Sequence, residues 1–181
     1  MKVISGKYKG RKLMGFDIVG TRPTMDRVKE SLFAMIYPWI DQAIVLDLFA
    51  GSGNLGIEAL SQGAKYAYFV DKNKKACQII NTNIDMLNIR QGEIFCGDYQ
   101  KALRDFVLKK ISFDIIFLDP PYQTDLVEKS VSFIMKENLL NKKGIIVVES
   151  DKLEKVSNFD MLEVVKMKKY GDKWVAILRQ I

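Results

Sequence analysis

The chain has 181 residues, roughly one domain at the usual domain size. Apolar residues make up 48% and charged residues 28%, a balance that suits a globular chain and not a disordered one. There is no histidine, which excludes Ser-His-Asp and Cys-His hydrolysis, histidine metal cages and imidazole acid–base shuttles. The net charge of +6 is uneven: residues 1–30 hold eight Lys/Arg against three Asp/Glu, and the remainder is nearly neutral. A basic head on a neutral body points to a polyanionic partner, nucleic acid first. The two cysteines, Cys77 and Cys96, form no C-x-x-C motif, so neither structural zinc nor a redox pair is expected. Both lie in apolar patterns and read as inert core thiols. No apolar run approaches the ~18 residues of a membrane span. The opening residues lack the continuous apolar stretch of a secretory signal. A cytoplasmic protein with no membrane partner and no metal is expected.

Residues 2–13 alternate small apolar and basic residues around Gly6 and Gly10 and read as a short strand pair or arm. A turn-rich stretch from Gly15 to Thr21 follows. Met25, Val28, Leu32, Met35 and Ile36 then fall at helical spacing, and Pro38 ends that helix. Residues 1–40 thus form a basic arm and helix within the same domain as the body, residues 41–181.

The body alternates. Ala43–Leu46 is an apolar run without period-2 patterning, as in a strand covered on both faces. A glycine-rich turn leads to a helix ending near Leu60. Tyr66–Val70 is the next strand and Lys74–Leu87 the next helix, with Cys77, Ile80, Ile84 and Leu87 on one face. Glu93–Cys96, Tyr99–Leu108, Phe113–Leu118 and Leu126–Leu140 continue strand, helix, strand, helix, and Gly144 opens a fifth strand through Glu149. Such alternation predicts an α/β fold with a mostly parallel sheet and helices on both faces. Met161–Met167 and Lys173–Leu178, around Gly171-Asp172, predict an antiparallel hairpin closing one edge.

Four loops at strand C-terminal ends carry chemistry, where open α/β sheets bind ligands. Gly51, Gly53 and Gly56 satisfy G-x-G-x-x-G, a weak signal alone. Asp71, twenty residues after Gly51, suits ribose hydroxyls and could instead cap the next helix. Asp47, four residues before Gly51, distinguishes cofactors. A carboxylate there repels a pyrophosphate and attracts an ammonium beside a sulfonium, which favours S-adenosylmethionine over NAD. Asp98 could accept from an adenine amine or cap the helix that starts at Tyr99. The most specific signal is Asp119-Pro120-Pro121-Tyr122. Two prolines fix φ and remove two donors. This leaves a rigid, acceptor-rich platform with an aromatic ring, suited to a planar group bearing NH2. Hydrogen bonds to Asp119 and the Pro120 carbonyl would localise the amine's lone pair. Attack on a sulfonium methyl then needs mostly positioning, and Tyr122 would stack on the extruded base.

With Asp47…Gly51-Ser52-Gly53, Asp71, Asp98 and Asp119-Pro120-Pro121-Tyr122, the chain resembles class I SAM-dependent amino-methyltransferases with a DPPY motif. Gly20–Phe33, Asp47–Leu60, Gly63-Ala64 and the opening Val3–Leu13 make it similar, over essentially its whole length, to the bacterial 16S ribosomal RNA guanine-N2 methyltransferase family. Asn54 and Met25 stand where that family more often carries small residues, with no consequence expected for the chemistry. The resemblance implies a single Rossmann-like methyltransferase domain that methylates the N2 amine of one guanine in small-subunit rRNA, within a ribosomal particle, as a monomer. It implies Asp119, Pro120 and Tyr122 at the target base. Asp47, Phe49, Gly51, Ser52, Gly53, Asp71, Asp98 and Tyr99 would lie at S-adenosylmethionine, and Lys7, Lys9, Arg11, Lys12, Arg22, Thr24 and Arg27 at RNA. Amino-methyl transfer by the same tetrapeptide to DNA adenine N6 or to a protein glutamine is the alternative.

Overall fold

A computed structural model describes residues 1–16, 22–121, 125–152 and 159–181, with only the backbone of residues 22–25. Seven strands form one sheet in the order β3-β2-β1-β4-β5-β7-β6. They are β1 (Ile44–Asp47), β2 (Tyr66–Asp71), β3 (Gly92–Cys96), β4 (Phe113–Leu118), β5 (Leu140–Ser150), β6 (Leu162–Tyr170) and β7 (Lys173–Gln180). The first five pair in parallel, while β7 runs antiparallel to β5 and to β6. This is the single α/β domain, mostly parallel with an antiparallel C-terminal hairpin, that the sequence predicts.

The helices are α1 (Arg22–Ile36), α2 (Asn54–Ser61), α3 (Lys74–Met86), α4 (Tyr99–Leu108) and α5 (Leu126–Lys136). Side chains alternate across a strand, so the sheet feeds two cores. Val45, Phe69, Phe117 and Val147 pack on one face with Leu32 and Phe33 of α1, Ile57 of α2 and Ile80 of α3. Leu46, Val70, Leu118 and Val148 pack on the other with Leu103 of α4 and Val131 of α5. Burial on both faces is why the inner strands read as unbroken apolar runs. Among the described residues no helix is long and apolar enough to cross a membrane.

Three sequence expectations need correction. Cys77 is buried, but Cys96 is exposed. It ends β3, the sheet's outer strand, which is covered less than its neighbours. The fourth body helix stops at Lys136 and not at Leu140, because Asn138 turns left-handed at φ 55°. Leu139 and Leu140 are buried beside the sheet, so apolar spacing alone could not separate them from the helix. The fifth strand accordingly begins at Leu140, with Gly144 inside an irregularity between the Phe113↔Leu140 and Ile115↔Ile145 pairs. A Cβ at Gly144 would lie 3.0 Å from the Asp114 and Asn141 carbonyl oxygens.

The basic arm is a small antiparallel loop closed by a Lys2↔Lys12 bridge and a short 3-10 turn at Gly6–Tyr8. Val3 and Leu13 seat it in the first core. Its backbone is held by α2. Glu58 accepts from the N–H groups of Ile4 and Ser5, each at 2.9 Å, and Ser61 Oγ accepts from Tyr8 N at 2.9 Å. Gly6 sits at φ +79° with a hypothetical Cβ only 1.8 Å from the Ser61 carbonyl oxygen, so no other residue fits there. Glu58 also meets Lys29 of α1 in a fully buried ion pair at 2.8 Å. Lys29 Nζ further donates to the Lys2 carbonyl and to Asn54 Oδ1, both at 2.7 Å. Burial pushes the Lys29 ammonium below the usual lysine range, and Glu58 offsets part of that.

Removing one partner of a buried ion pair leaves the other charged and out of water, at a cost of about 3–5 kcal/mol. Lys29→Met should lose about that much by denaturant unfolding, and Lys29→Met/Glu58→Gln should recover a large part of it. A loss below about 1 kcal/mol for the single variant would show that the pair does not anchor the arm.

Candidate active site

The candidate site lies at the C-terminal ends of β1, β2, β3 and β4. The glycine loop leaves β1 at Asp47 and enters α2 at Asn54. Gly51 and Gly53 adopt φ +55° and +76°, values that L side chains rarely take. Around Gly51 a Cβ would meet only open space, so the loop presents bare backbone to the site. Gly56 is required for a different reason: a Cβ there would come within 2.3 Å of the Phe69 ring.

Two carboxylates brace this loop from behind. Asp47, 2% exposed, accepts from Gly56 N through Oδ2 at 3.0 Å. Burial pushes its carboxyl up to about 7; the Gly56 hydrogen bond opposes this and nearby Asp71 adds to it. A cation held opposite Asp47 would draw the proton off. Asp71 accepts from Gly51 N through Oδ2 at 2.9 Å and from Asn73 N through Oδ1 at 2.8 Å. Of its two expected roles, helix capping falls to Asn73, whose side chain accepts from Lys75 N. Asp71 therefore holds the loop, with one oxygen on Gly51 N and the other on Asn73 N.

Asp98 does cap α4, accepting from Gln100 N at 2.9 Å through Oδ1. Phe49 of the loop and Tyr99, first in α4, meet with ring centroids 5.5 Å apart. Ser52 is partly buried, and its carbonyl accepts from Asn83 Nδ2 at 3.0 Å. The structure thus brings Asp47, Phe49, Gly51, Ser52, Gly53, Asp71, Asp98 and Tyr99 to one end of the sheet. The donor and acceptor set suits a cofactor with a cationic group and a ribose.

Asp119 directly follows β4, and Pro120 behind it is buried. β4 pairs with β1, so Asp119 ends the strand beside the one that carries Asp47. Its carboxyl is pushed up to about 7, first by burial, then by Glu149; Lys173 opposes this and Asp47 adds to it. Among the described residues no side chain or backbone group is hydrogen-bonded to the Asp119 carboxylate. Tyr122 lies outside the described residues, as do the side chains of Arg22 and Thr24. Lys7, Lys9, Arg11, Lys12 and Arg27 are all exposed, with Lys7 Nζ 5.3 Å from the Tyr8 ring centroid.

Sequence reasoning missed four residues that hold these parts together: Lys29, Asn54, Glu58 and Asn83. Asn54, read as inconsequential, is where Lys29 docks at the start of α2. Asn83 of α3 is fully buried and bridges arm and loop. It accepts from Met14 N at 2.7 Å and donates to the Met14 and Ser52 carbonyls, each at 3.0 Å. The available signal was a charge or amide inside an apolar helical stripe, since such groups stay buried only when partnered.

The chain is similar to known proteins over nearly its whole length. The family model described as Conserved hypothetical protein 95 matches residues 1–179. The Bacillus subtilis protein YlbH is 40% identical over 182 residues, covering 99% of each chain. The Ribosomal RNA small subunit methyltransferase D of Haemophilus influenzae is 38% identical over 157 residues, covering 84% of this chain and 79% of its own. The solved structure of Escherichia coli yhhF superposes with a TM-score of 0.86 at 29% identity, covering 99% of this chain and 97% of that one. With its fold, its glycine loop and a family match over nearly every residue, the chain belongs to the Conserved hypothetical protein 95 family and is a homologue of the small-subunit ribosomal RNA methyltransferases D.

Proposed function

We propose that this protein methylates the exocyclic N2 amine of one guanine in 16S ribosomal RNA, acting in the cytoplasm on a small-subunit particle, as a monomer. The coarser activity, methyl transfer to ribosomal RNA, is the one in the name of the Haemophilus influenzae relative. The methyl donor is S-adenosylmethionine. The observation that carries the reading is Asp119 just past the end of β4, the strand paired with the one that carries Asp47: an acceptor suited to an amine follows the neighbour of an acceptor suited to a cation.

Bound S-adenosylmethionine supplies an electrophilic methyl group on a sulfonium. Asp47 would face its positive charge, Asp71 its ribose hydroxyls, and the bare backbone at Gly51 would let it approach closely. Asp98 Oδ1 already caps α4, so an adenine amine would share that carboxylate. At the target, Asp119 and the Pro120 carbonyl accept the two N–H bonds of the amine and turn its lone pair toward the methyl carbon. With S-adenosylmethionine bound, its sulfonium would give up the methyl carbon to the nitrogen and leave as a thioether, and Asp119, poised near 7, can take the proton the nitrogen gives up. Tyr122 stacks on the base. Guanine N2 lies on a pairing edge, so the base must be unpaired or flipped, at a cost of a few kcal/mol.

The exposed cations of the arm and of α1 supply phosphate contacts to offset that cost. The arm is rigidly seated through Glu58, Ser61 and Asn83, so its charges keep a fixed offset from the site.

Asp119→Ala should abolish most methyl transfer to ribosomal RNA while leaving S-adenosylmethionine affinity, read by calorimetry, nearly unchanged. Near wild-type turnover would refute the amine role. For the arm, each phosphate contact contributes about −0.7 to the slope of log affinity against log salt on single strands. Lys9→Ala/Arg11→Ala/Arg27→Ala should flatten that slope by about two, and an unaltered slope would remove these residues from the RNA interface.

A further inference from the structure

We propose that Lys173 and Glu149, paired where β7 leaves the turn of the C-terminal hairpin beside the end of β5, form a charge pair that sets the electrostatics of Asp119 for amine transfer. This inference rests on the proposed reading of Asp119 and adds two residues to it.

Backbone register dictates the arrangement. Leu118 pairs with Val148, so Asp119, just past the end of β4, and Glu149, the next residue of β5, lie together at the mouth of the sheet. Leu118 and Val148 face the second core, while Phe117 and Val147 face the first. Alternation therefore turns Asp119 and Glu149 toward the α1–α2–α3 face, and it does the same for Asp47, since Leu46 faces the second core. Three carboxylates from three neighbouring strands share one face. Lys173 is the cation there. It starts β7, whose Trp174 pairs with Ser150, and its Nζ forms an ion pair with Glu149 Oε1.

The hairpin turn explains how a lysine reaches this point. Tyr170 pairs directly with Lys173, leaving a two-residue loop of Gly171-Asp172 with Gly171 at φ +59°. A glycine in the left-handed region at the first loop position suits a tight turn that fixes strand register. A one-residue slip would swing Lys173 to the other face of the sheet. Tyr170 is further tied to Ser31 of α1 through its hydroxyl, which anchors the turn against the domain.

The charged groups that bear on Asp119, among the described residues, are Glu149 on β5, Lys173 on β7 and Asp47 on β1. Glu149 and Asp47 favour the protonated acid, and Lys173 alone favours the carboxylate. Among the described residues, an acceptor ionised near neutral pH in this row of like charges has Lys173 as the cation that favours its charge. Glu149 in turn holds the flexible lysine in place.

The test is the titration of the Asp119 carboxyl by carbon-13 NMR, on full-length protein without RNA. Lys173→Met should move the midpoint up by about one pH unit and Glu149→Gln should move it down, the low end of the effect of a nearby charge. Lys173→Arg should stay near wild type. On ribosomal RNA with S-adenosylmethionine saturating, the acid limb of kcat/KM should follow the same order. Lys173→Met should then lose about tenfold at pH 6.5 and recover by pH 8.5. An unmoved midpoint in Lys173→Met, or a shift in the same direction for Lys173→Met and Glu149→Gln, overturns the proposal. Because the NMR titration needs no substrate, it separates this failure from that of the amine role, which Asp119→Ala decides.

Discussion

A carboxylate taken wholly out of water must be met by donors, and much of this molecule is organised around meeting Glu58. Two backbone N–H groups of the arm, the Gln62 amide and the Lys29 ammonium converge on it. The residue lies one turn into α2, the helix that leaves the glycine loop. A single buried charge thus joins the arm, α1 and the loop's helix. Lys29 extends the junction by reaching Asn54, the first residue of α2. An apolar residue at position 58 could fill the space but would leave the Ile4 and Ser5 donors without this acceptor, and unmade backbone bonds are costly when covered.

The same logic governs the mouth of the sheet. Asp47, Asp71 and Asp119 stand where strands end, and each answers a different demand. Asp71 spends two acceptor positions on the loop backbone and keeps its ordinary function as a hydrogen-bond anchor. Asp47 and Asp119 are pushed up to about 7, so each is balanced between acid and carboxylate in the free protein. Since these raised values favour the protonated form, the folded state gives up stability as pH rises from the unfolded carboxylate range through about 7. That cost suits the roles proposed for these two carboxylates, at a cation and at an amine.

The parts of the fold legible in the sequence are those with a strong period or a steric demand. β4 and α4 fall where apolar runs and spacing predict them, from Phe113 to Leu118 and from Tyr99 to Leu108. Gly51, Gly53 and Gly56 announce a loop because L side chains rarely take the backbone angles of the first two and a Cβ at the third would clash with Phe69. Illegible parts depend on tertiary partners. Whether Leu139 and Leu140 extend a helix or open a strand rests on pairing with Phe113, which lies 27 residues away for Leu140. Cys96 reads as core from its apolar neighbours and is exposed because β3 has no strand beyond it. Lys29 falls four residues after Met25 and three before Leu32, on the stripe that faces the core. Its partner Glu58 is 29 residues further on, beyond the reach of any local pattern.

Guanine-N2 transfer to small-subunit RNA is tested most directly by nucleoside mass spectrometry of ribosomal RNA from cells lacking this protein. Cells restored with the wild-type chain or with the Asp119→Ala chain serve as controls. The expected result is loss of one N2-methylguanosine from the small-subunit RNA, restored by the wild-type chain and not by Asp119→Ala. Unchanged N2-methylguanosine, accompanied by loss of N6-methyladenine from DNA or of methylglutamine from protein, would contradict it.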